Sequence, residues 1–238
     1  MSAPRFVAAL VRHGDYDQPD RVPSALLPHP LTAKGRAQAS ELAATLRAEA
    51  DAHQLSLATT IDCSPLLRAW QTATITAARL LELGGVGFEV AEHEVLCERS
   101  LGAAANLTID QIAAAVANDP RLAPLPPDWK SHPRHRLPFL GAESLLQAGA
   151  RVAAHLERRA HAHASGLAGS PQDLLQVVIS HGGALRHAAV TIGVLDLDRV
   201  PGLSMHHCGH VLVERHEDGH WTQIGGKWKV RPGSSAGD

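Results

Sequence analysis

The sequence predicts an α/β sandwich with a mostly parallel central sheet. Three observations carry that expectation. Two short apolar runs, at 6–11 and 174–179, each stop at a His-Gly corner, as buried strands do where the chain turns away. Between them, strand-like and helix-like segments alternate, which is the pattern of βα units. The length, 238 residues with 45% hydrophobic side chains, suits one domain of that class.

Each element has its own signal. Residues 5–11 read as a buried strand closed by Gly14, and 15–31 as a polar, Pro-rich loop. Thr32 is the expected N-cap of a helix over 33–50, with Leu42 and Leu46 at helical spacing. Residues 58–62 form a short β-branched strand. Pro65 suits the first turn of a helix that carries Arg68 and runs to about Leu83, where Gly84-Gly85 breaks it. A short strand at 88–90 follows, then a small helix over 107–116 capped by Thr108. Six prolines between 120 and 138 forbid regular structure, so 118–142 is read as an insertion within the domain. A long helix over 143–163 keeps Leu145, Gly149, Val152 and Leu156 on one face. After a turn at 165–170 come the second buried strand (174–179), a helix over 183–194, and a hairpin of 211–215 with 221–224 joined by Glu217-Asp218-Gly219. One domain is expected over 1–230, with a disordered tail over 231–238.

Bulk properties narrow the function. The formal net charge is −2, so no global basic field draws nucleic acid or an acidic membrane, and an anion site must be a local cluster of arginines. Aromatic residues are 3%, leaving few platforms for stacking bases. No run approaches the roughly 20 apolar residues that span a bilayer, and the N-terminal apolar stretch is too short for a secretory signal. Cys63, Cys97 and Cys208 form no CxxC pair, which suits a reducing cytoplasm rather than a disulfide framework.

Three places could carry chemistry. Arg12-His13-Gly14 ends the first strand, and Ser180-His181-Gly182-Gly183 ends the other. In open α/β sheets ligands sit at the carboxyl ends of strands, so a shared pocket follows from position. A neutral imidazole can attack phosphorus, and neighbouring arginines favour its neutral form. Arg12 and His13 converge only if the chain turns at Gly14; the alternative is a capped strand end with a surface histidine. Arg68, in the first helical turn after Ser64-Pro65, has the helix dipole on its side as a phosphate ligand; the alternative is an ordinary exposed arginine. Glu98, in Cys97-Glu98-Arg99, could protonate a leaving oxygen if its pKa is raised; the alternative is a solvated Glu–Arg pair.

Taken together and in order, Leu10-Val11-Arg12-His13-Gly14, Leu31-Thr32-Ala33-Lys34-Gly35-Arg36-Ala37-Gln38-Ala39, Cys63-Ser64-Pro65 with Arg68 and Gln71-Thr72-Ala73, Leu96-Cys97-Glu98-Arg99, Gly141-Ala142-Glu143-Ser144 and Ser180-His181-Gly182-Gly183 resemble the histidine phosphatase superfamily, which includes the phosphoglycerate mutase-like enzymes. The resemblance implies a three-layer α/β/α sandwich. It implies that His13 is the nucleophile that becomes a phosphohistidine. Arg12, Arg68 and His181 would hold the phosphoryl group, with Arg99 and Gly182 lining the substrate site. Glu98 would act as general acid and then base. No cofactor and no metal are implied, because the arginines and second histidine supply the positive charge.

Mutases of this family typically continue the triplet with a segment ending in Asn; here it continues Asp15-Tyr16-Asp17-Gln18-Pro19, with proline at that place. Two acidic residues near the entrance also disfavour a strongly anionic sugar bisphosphate. Hydrolysis of a phosphomonoester is therefore favoured. Phosphoglycerate mutase-type transfer, which Arg99 supports, and a non-catalytic phosphate-binding or scaffold module are the alternatives. The expected partner is a phosphorylated small molecule, with a phosphoprotein and a homodimer left open, and neither nucleic acid nor membrane. The 118–142 segment, carrying Lys130, His132, Arg134, His135 and Arg136, is either a lid that reads the substrate or a solvated basic loop. His206-His207-Cys208-Gly209-His210 has zinc-ligand residue types, but adjacent ligands on an extended segment point to opposite sides, so no metal site is expected there.

Overall fold

A computed structural model describes residues 4–84, 87–166 and 172–232. In chain order the regular elements are β1 (Phe6–Arg12), α1 (Ala33–His53), β2 (Ser56–Leu57), β3 (Thr60–Cys63), α2 (Leu67–Glu82), β4 (Glu89–Glu92), α3 (Ile109–Ala117), α4 (Leu145–Ala164), β5 (Leu174–Ser180), α5 (Gly182–Thr191), β6 (Leu203–Ser204), β7 (His210–Arg215), β8 (Trp221–Gly226) and β9 (Lys229–Val230). Short 3-10 turns at Glu94–Leu96, Gly102–Ala104 and Leu197–Gly202 join them.

The central sheet has seven strands in the order β4-β3-β5-β1-β7-β8, with β2 beside β5. Strands β1 to β5 run parallel, and β7 and β8 add an antiparallel edge. β1 and β5 are buried on both faces, which is why they read as unbroken apolar runs. Alternate residues of β1 face opposite layers. Val7, Ala9 and Val11 pack with Leu42, Leu46, Ala69 and Ala73 of α1 and α2. Phe6, Ala8 and Leu10 pack with Val152, Leu156, Ala184 and Leu185 of α4 and α5. Two helical layers thus sandwich the sheet, as expected. No helix among the described residues is long and apolar enough to cross a membrane.

Local signals set most helix starts. The Thr32 side chain accepts from Gly35 N, and Thr108 and Ser144 each form a reciprocal capping box with the Gln three residues on, each cap contributing about 1 kcal/mol. The prolines leave 118–144 without helix or strand, as expected. That segment still folds inward: Trp129 and Leu137 pack with Ile112 of α3, Leu101 and Ala25 in a small core of their own.

Several boundaries differ from expectation. The strand expected at 58–62 resolves into β2 and β3, and α2 starts after Pro65 with Leu66 as cap. The ribbon of β6 and β9 is too short for any periodicity to announce. Arg231, assigned to the tail, donates its backbone N–H to Gly202 O across 2.8 Å because the ribbon brings it there. Residues 167–171 of the expected turn, and the tail from 233 onward, lie outside the described residues.

Candidate active site

β1 and β5 are adjacent and in register, Arg12 opposite Ser180, so the histidine that follows each strand emerges at the same end. His13 N donates to Ser180 O (3.0 Å), and the two imidazole rings lie 5.0 Å apart. Gly14 does not serve by taking a left-handed conformation. A Cβ there would lie 2.7 Å from Gly35 O, and one on Gly35 would lie 1.9 Å from Asp15 O. The two glycines therefore let the β1 corner close on the start of α1. Thr72 of α2 ties the same corner, accepting from Gly14 N (3.0 Å) and donating to Arg68 O (2.7 Å).

The hydrogen bonds identify which nitrogen of His13 carries the proton. Its Nδ1 lies 2.7 Å from Gly14 O, which can only accept, so Nδ1 carries the proton. Its Nε2 accepts from Arg68 Nε at 3.2 Å. Burial, then the charges of Arg68 and Arg12, push the His13 pKa well below the ordinary imidazole value. His13 is thus a neutral ring with its lone pair on Nε2.

Arg68 is fully buried under this ring, with its guanidinium 4.7 Å from the Tyr16 ring centre. It donates Nη1 to Leu27 O (2.8 Å) and Nη2 to Ala25 O (3.0 Å). Arg12 donates Nη1 to Met205 O (2.7 Å), while its Nε is buried without a partner. His181 Nε2 lies 2.9 Å from Ser64 Oγ, and its Nδ1 is buried without a partner. Burial and then Arg68 also hold His181 well below its ordinary pKa. With no ligand bound, His181 is held in its neutral form, and the fixed positive charge beside His13 comes from the two arginines.

Glu98 sits at the start of α5. Its Oε2 accepts from Gly183 N (3.0 Å), and its Oε1 from Ala184 N (3.0 Å) and Arg99 N (2.9 Å). A Cβ on Gly183 would lie 2.6 Å from Oε1, which explains the second glycine of that corner. Arg151 of α4 clamps the Glu98 segment, donating to the carbonyls of Val95, Cys97 and Glu98 and pairing with Glu143 at 2.5 Å.

Arg12, His13, Glu98, Arg99 and Gly182 all line one cavity of about 380 Å3. Arg68 and His181 do not reach its wall; they lie behind His13 and support it. Asp15 and Asp17 do not themselves line the wall. Asp15 turns away to accept from Thr32 Oγ1 (2.7 Å) and to pair with His207 (3.2 Å). Of the basic loop only Lys130 reaches this cavity, because Trp129 anchors that part of it. His207 and His210 face Asp15 and Glu49, so the histidine-rich segment is spent on separate carboxylates.

Sequence reasoning quoted Thr72 without giving it a role, and it missed Arg151, Arg186 and Arg231. A signal existed for Arg186, four residues after Gly182 and so on the same face of α5. None existed for Arg231. Away from the cavity, Asp62, His93 and His155 bring three ligand-type atoms within 4.8 Å of one another, and Arg159 spans both Asp62 oxygens at 2.5 and 2.6 Å.

Comparison with known proteins gives a consistent result. Residues 8–224 match the histidine phosphatase superfamily (branch 1). No curated protein matches the sequence. Among solved structures, a mycobacterial glucosyl-3-phosphoglycerate phosphatase complexed with VO3 is 24% identical, with 94% of this chain and 99% of that one covered at a TM-score of 0.68. A phosphoglycerate mutase from Bacillus anthracis is 16% identical, with 93% and 92% covered and a TM-score of 0.70. Bacillus stearothermophilus YhfR is 21% identical, with 94% and 95% covered and a TM-score of 0.66.

Proposed function

This chain belongs to the histidine phosphatase superfamily, branch 1, and from that premise we propose that it hydrolyses phosphomonoesters through a phosphohistidine on His13. The observation that carries the reading is the Nε2 lone pair of a buried, neutral His13 on the wall of a cavity beside Arg12.

In the first step Nε2 gives up the hydrogen bond from Arg68 and attacks phosphorus; the N–P bond forms and the P–O bond to the alcohol breaks. Arg12, on the cavity wall, opposes the charge spread over the equatorial oxygens, and the buried Arg68 adds its charge from behind the ring. The buried nitrogens without partners, Arg12 Nε and His181 Nδ1, have hydrogen-bonding capacity that a phosphoryl oxygen would satisfy. A dianion beside His181 favours its imidazolium form, so positive charge there arrives with the ligand. Glu98, in its acid form, gives its proton to the leaving oxygen. In the second step the Glu98 carboxylate takes a proton from water, which attacks phosphorus; the N–P bond breaks and phosphate leaves.

Hydrolysis is favoured over transfer by Pro19, which offers neither a side-chain amide nor a backbone N–H for a retained phosphate. Arg99 on the cavity wall favours the mutase reading. Purified protein given a panel of phosphomonoesters, phosphoglycerate included, separates the two. The proposal expects inorganic phosphate with no isomerised ester. Isomerised phosphoglycerate without phosphate supports the mutase, and neither product supports a non-catalytic module.

A further inference from the structure

Asp62, on β3, is a fully buried carboxylate with donors from three side chains directed at it. Its Oδ1 accepts from Arg159 Nη2 (2.5 Å) and His93 Nε2 (3.2 Å). Its Oδ2 accepts from Arg159 Nε (2.6 Å) and His155 Nε2 (3.0 Å). The two-pronged guanidinium already neutralises this carboxylate, so charge pairing does not account for the imidazoles. They come from different elements. His93 follows β4, with its backbone N–H donating to Cys63 O (2.8 Å), and His155 lies on α4, one turn before Arg159.

One ligand-type atom from each of Asp62, His93 and His155 lies within 4.8 Å of the others, and among the described residues no second group of three does so. The contacts between imidazole nitrogen and carboxylate oxygen, 3.0 and 3.2 Å, approach the edge of a metal-centred tetrahedron. That edge is about 3.3 Å for ligands standing about 2.0–2.1 Å from the ion. Two imidazoles and one carboxylate are a donor set that suits zinc and its borderline neighbours. The side chains of His93 and Arg159 are each 32% exposed. Solvent thus reaches the cluster to supply an ion and a water as fourth ligand, and the guanidinium has room to swing outward. None of these side chains lines the cavity that His13 faces, so the site is independent of the phosphatase reading.

We infer that Asp62, His93 and His155 form a binding site for a divalent transition-metal ion of the zinc type, where Arg159 holds the place of the cation until the ion displaces it. Each imidazole then carries its proton on Nδ1 and gives the Nε2 lone pair to the ion. Arg159 keeps its proton and turns to solvent, where its charge opposes the ion and weakens binding. The bound ion joins β3 and α4 to the turn at Glu94–Leu96, the segment that leads into Glu98.

The test uses the full chain, stripped by a chelator and held at about pH 7.5, where a free imidazole is neutral. Zn2+ is the probe in calorimetry and Co2+ in visible absorption. One equivalent of Zn2+ is expected to bind, and Co2+ to give the intense visible bands of a four-coordinate ion, which Zn2+ abolishes. His93→Ala, at a partly exposed position, is expected to weaken Zn2+ at least about tenfold and to erase those bands. His93→Gln takes its place should the alanine variant fail to fold. Arg159→Gln is expected to tighten Zn2+ several-fold. If neither the unmodified protein nor Arg159→Gln binds Zn2+, the site is overturned. Binding that His93→Ala leaves unchanged overturns it as well, since the ion then sits among other histidines. Equal affinity in the unmodified protein and Arg159→Gln overturns the exchange with Arg159.

Discussion

Arg68 donates its Nε–H to Nε2 of His13 across 3.2 Å, while the opposite ring nitrogen is fixed by the Gly14 carbonyl at 2.7 Å. One contact orients the ring; the other keeps a positive charge against the nitrogen that would attack. Arg68→Met removes that charge. The expected result is a fall in kcat/KM of about 10^2- to 10^3-fold, the scale of losing one transition-state charge contact. The acid limb of the pH profile is also expected to move upward, because the His13 pKa returns toward its ordinary value. A fall with no movement of the acid limb would mean that Arg68 acts only on the substrate.

The pH dependence follows from the lowered pKa values of His13 and His181, both caused first by burial and then by Arg68. A lowered value keeps the nucleophile neutral in acid where a free imidazole is protonated. The acid limb attributable to His13 in kcat/KM should therefore lie below about 6.5. Stability has the corresponding sign. The unfolded imidazoles take up protons as pH falls through about 6.5 and the folded ones do not, so stability declines below that pH toward the folded-state pKa values. Denaturant midpoints measured across the acid range check this; a midpoint rising as pH drops through that window would contradict it.

Glu98 and Gly183 test the proton donor. Glu98→Gln is expected to slow alkyl esters by about 10^2-fold or more and aryl esters much less, since phenolate leaves without full protonation. Gly183→Ala puts a methyl 2.6 Å from Glu98 Oε1 and must displace the carboxylate. It should reproduce the same alkyl-over-aryl bias in milder form. Equal losses on both ester types would remove Glu98 from the acid role.

Asp62 supplies a structural prediction. It is fully buried; burial alone would raise its pKa, yet the hydrogen bonds from His155 and Arg159 outweigh that and hold it low. A lowered carboxyl pKa contributes stability that is present above about 3.9 and lost as pH falls through the folded value. Asp62→Asn leaves Arg159 and His155 without their anion and should cost about 3 kcal/mol. Chemical denaturation at neutral pH measures it. A cost under about 1 kcal/mol would show that the cluster relaxes around the amide.

Much of this was legible in the residues. β1 and β5 announce themselves because both faces are buried, and the caps at Thr32 and Thr108 because their chemistry is local. The meeting of His13 and His181 was legible from their places at the carboxyl ends of two strands, whereas that Arg68 joins them was legible only as a resemblance, since no local signal brings it there. What the sequence hid is what tertiary contacts decide. The role of Gly14 lies in its contact with Gly35, not in its own backbone. Asp15 turns toward Thr32 and His207, contacts that no local pattern announces. Arg231 reaches the cavity through a ribbon of two-residue strands that no pattern marks.

The central claim concerns one nitrogen atom. Protein mixed with a phosphomonoester labelled in its phosphoryl group, quenched within the first turnover under conditions that preserve N–P bonds, and mapped by mass spectrometry tests it directly. The account predicts label on Nε2 of His13, absent from His13→Ala, and disappearing as phosphate is released. Phosphate release from a protein that never carries label on His13 would contradict it.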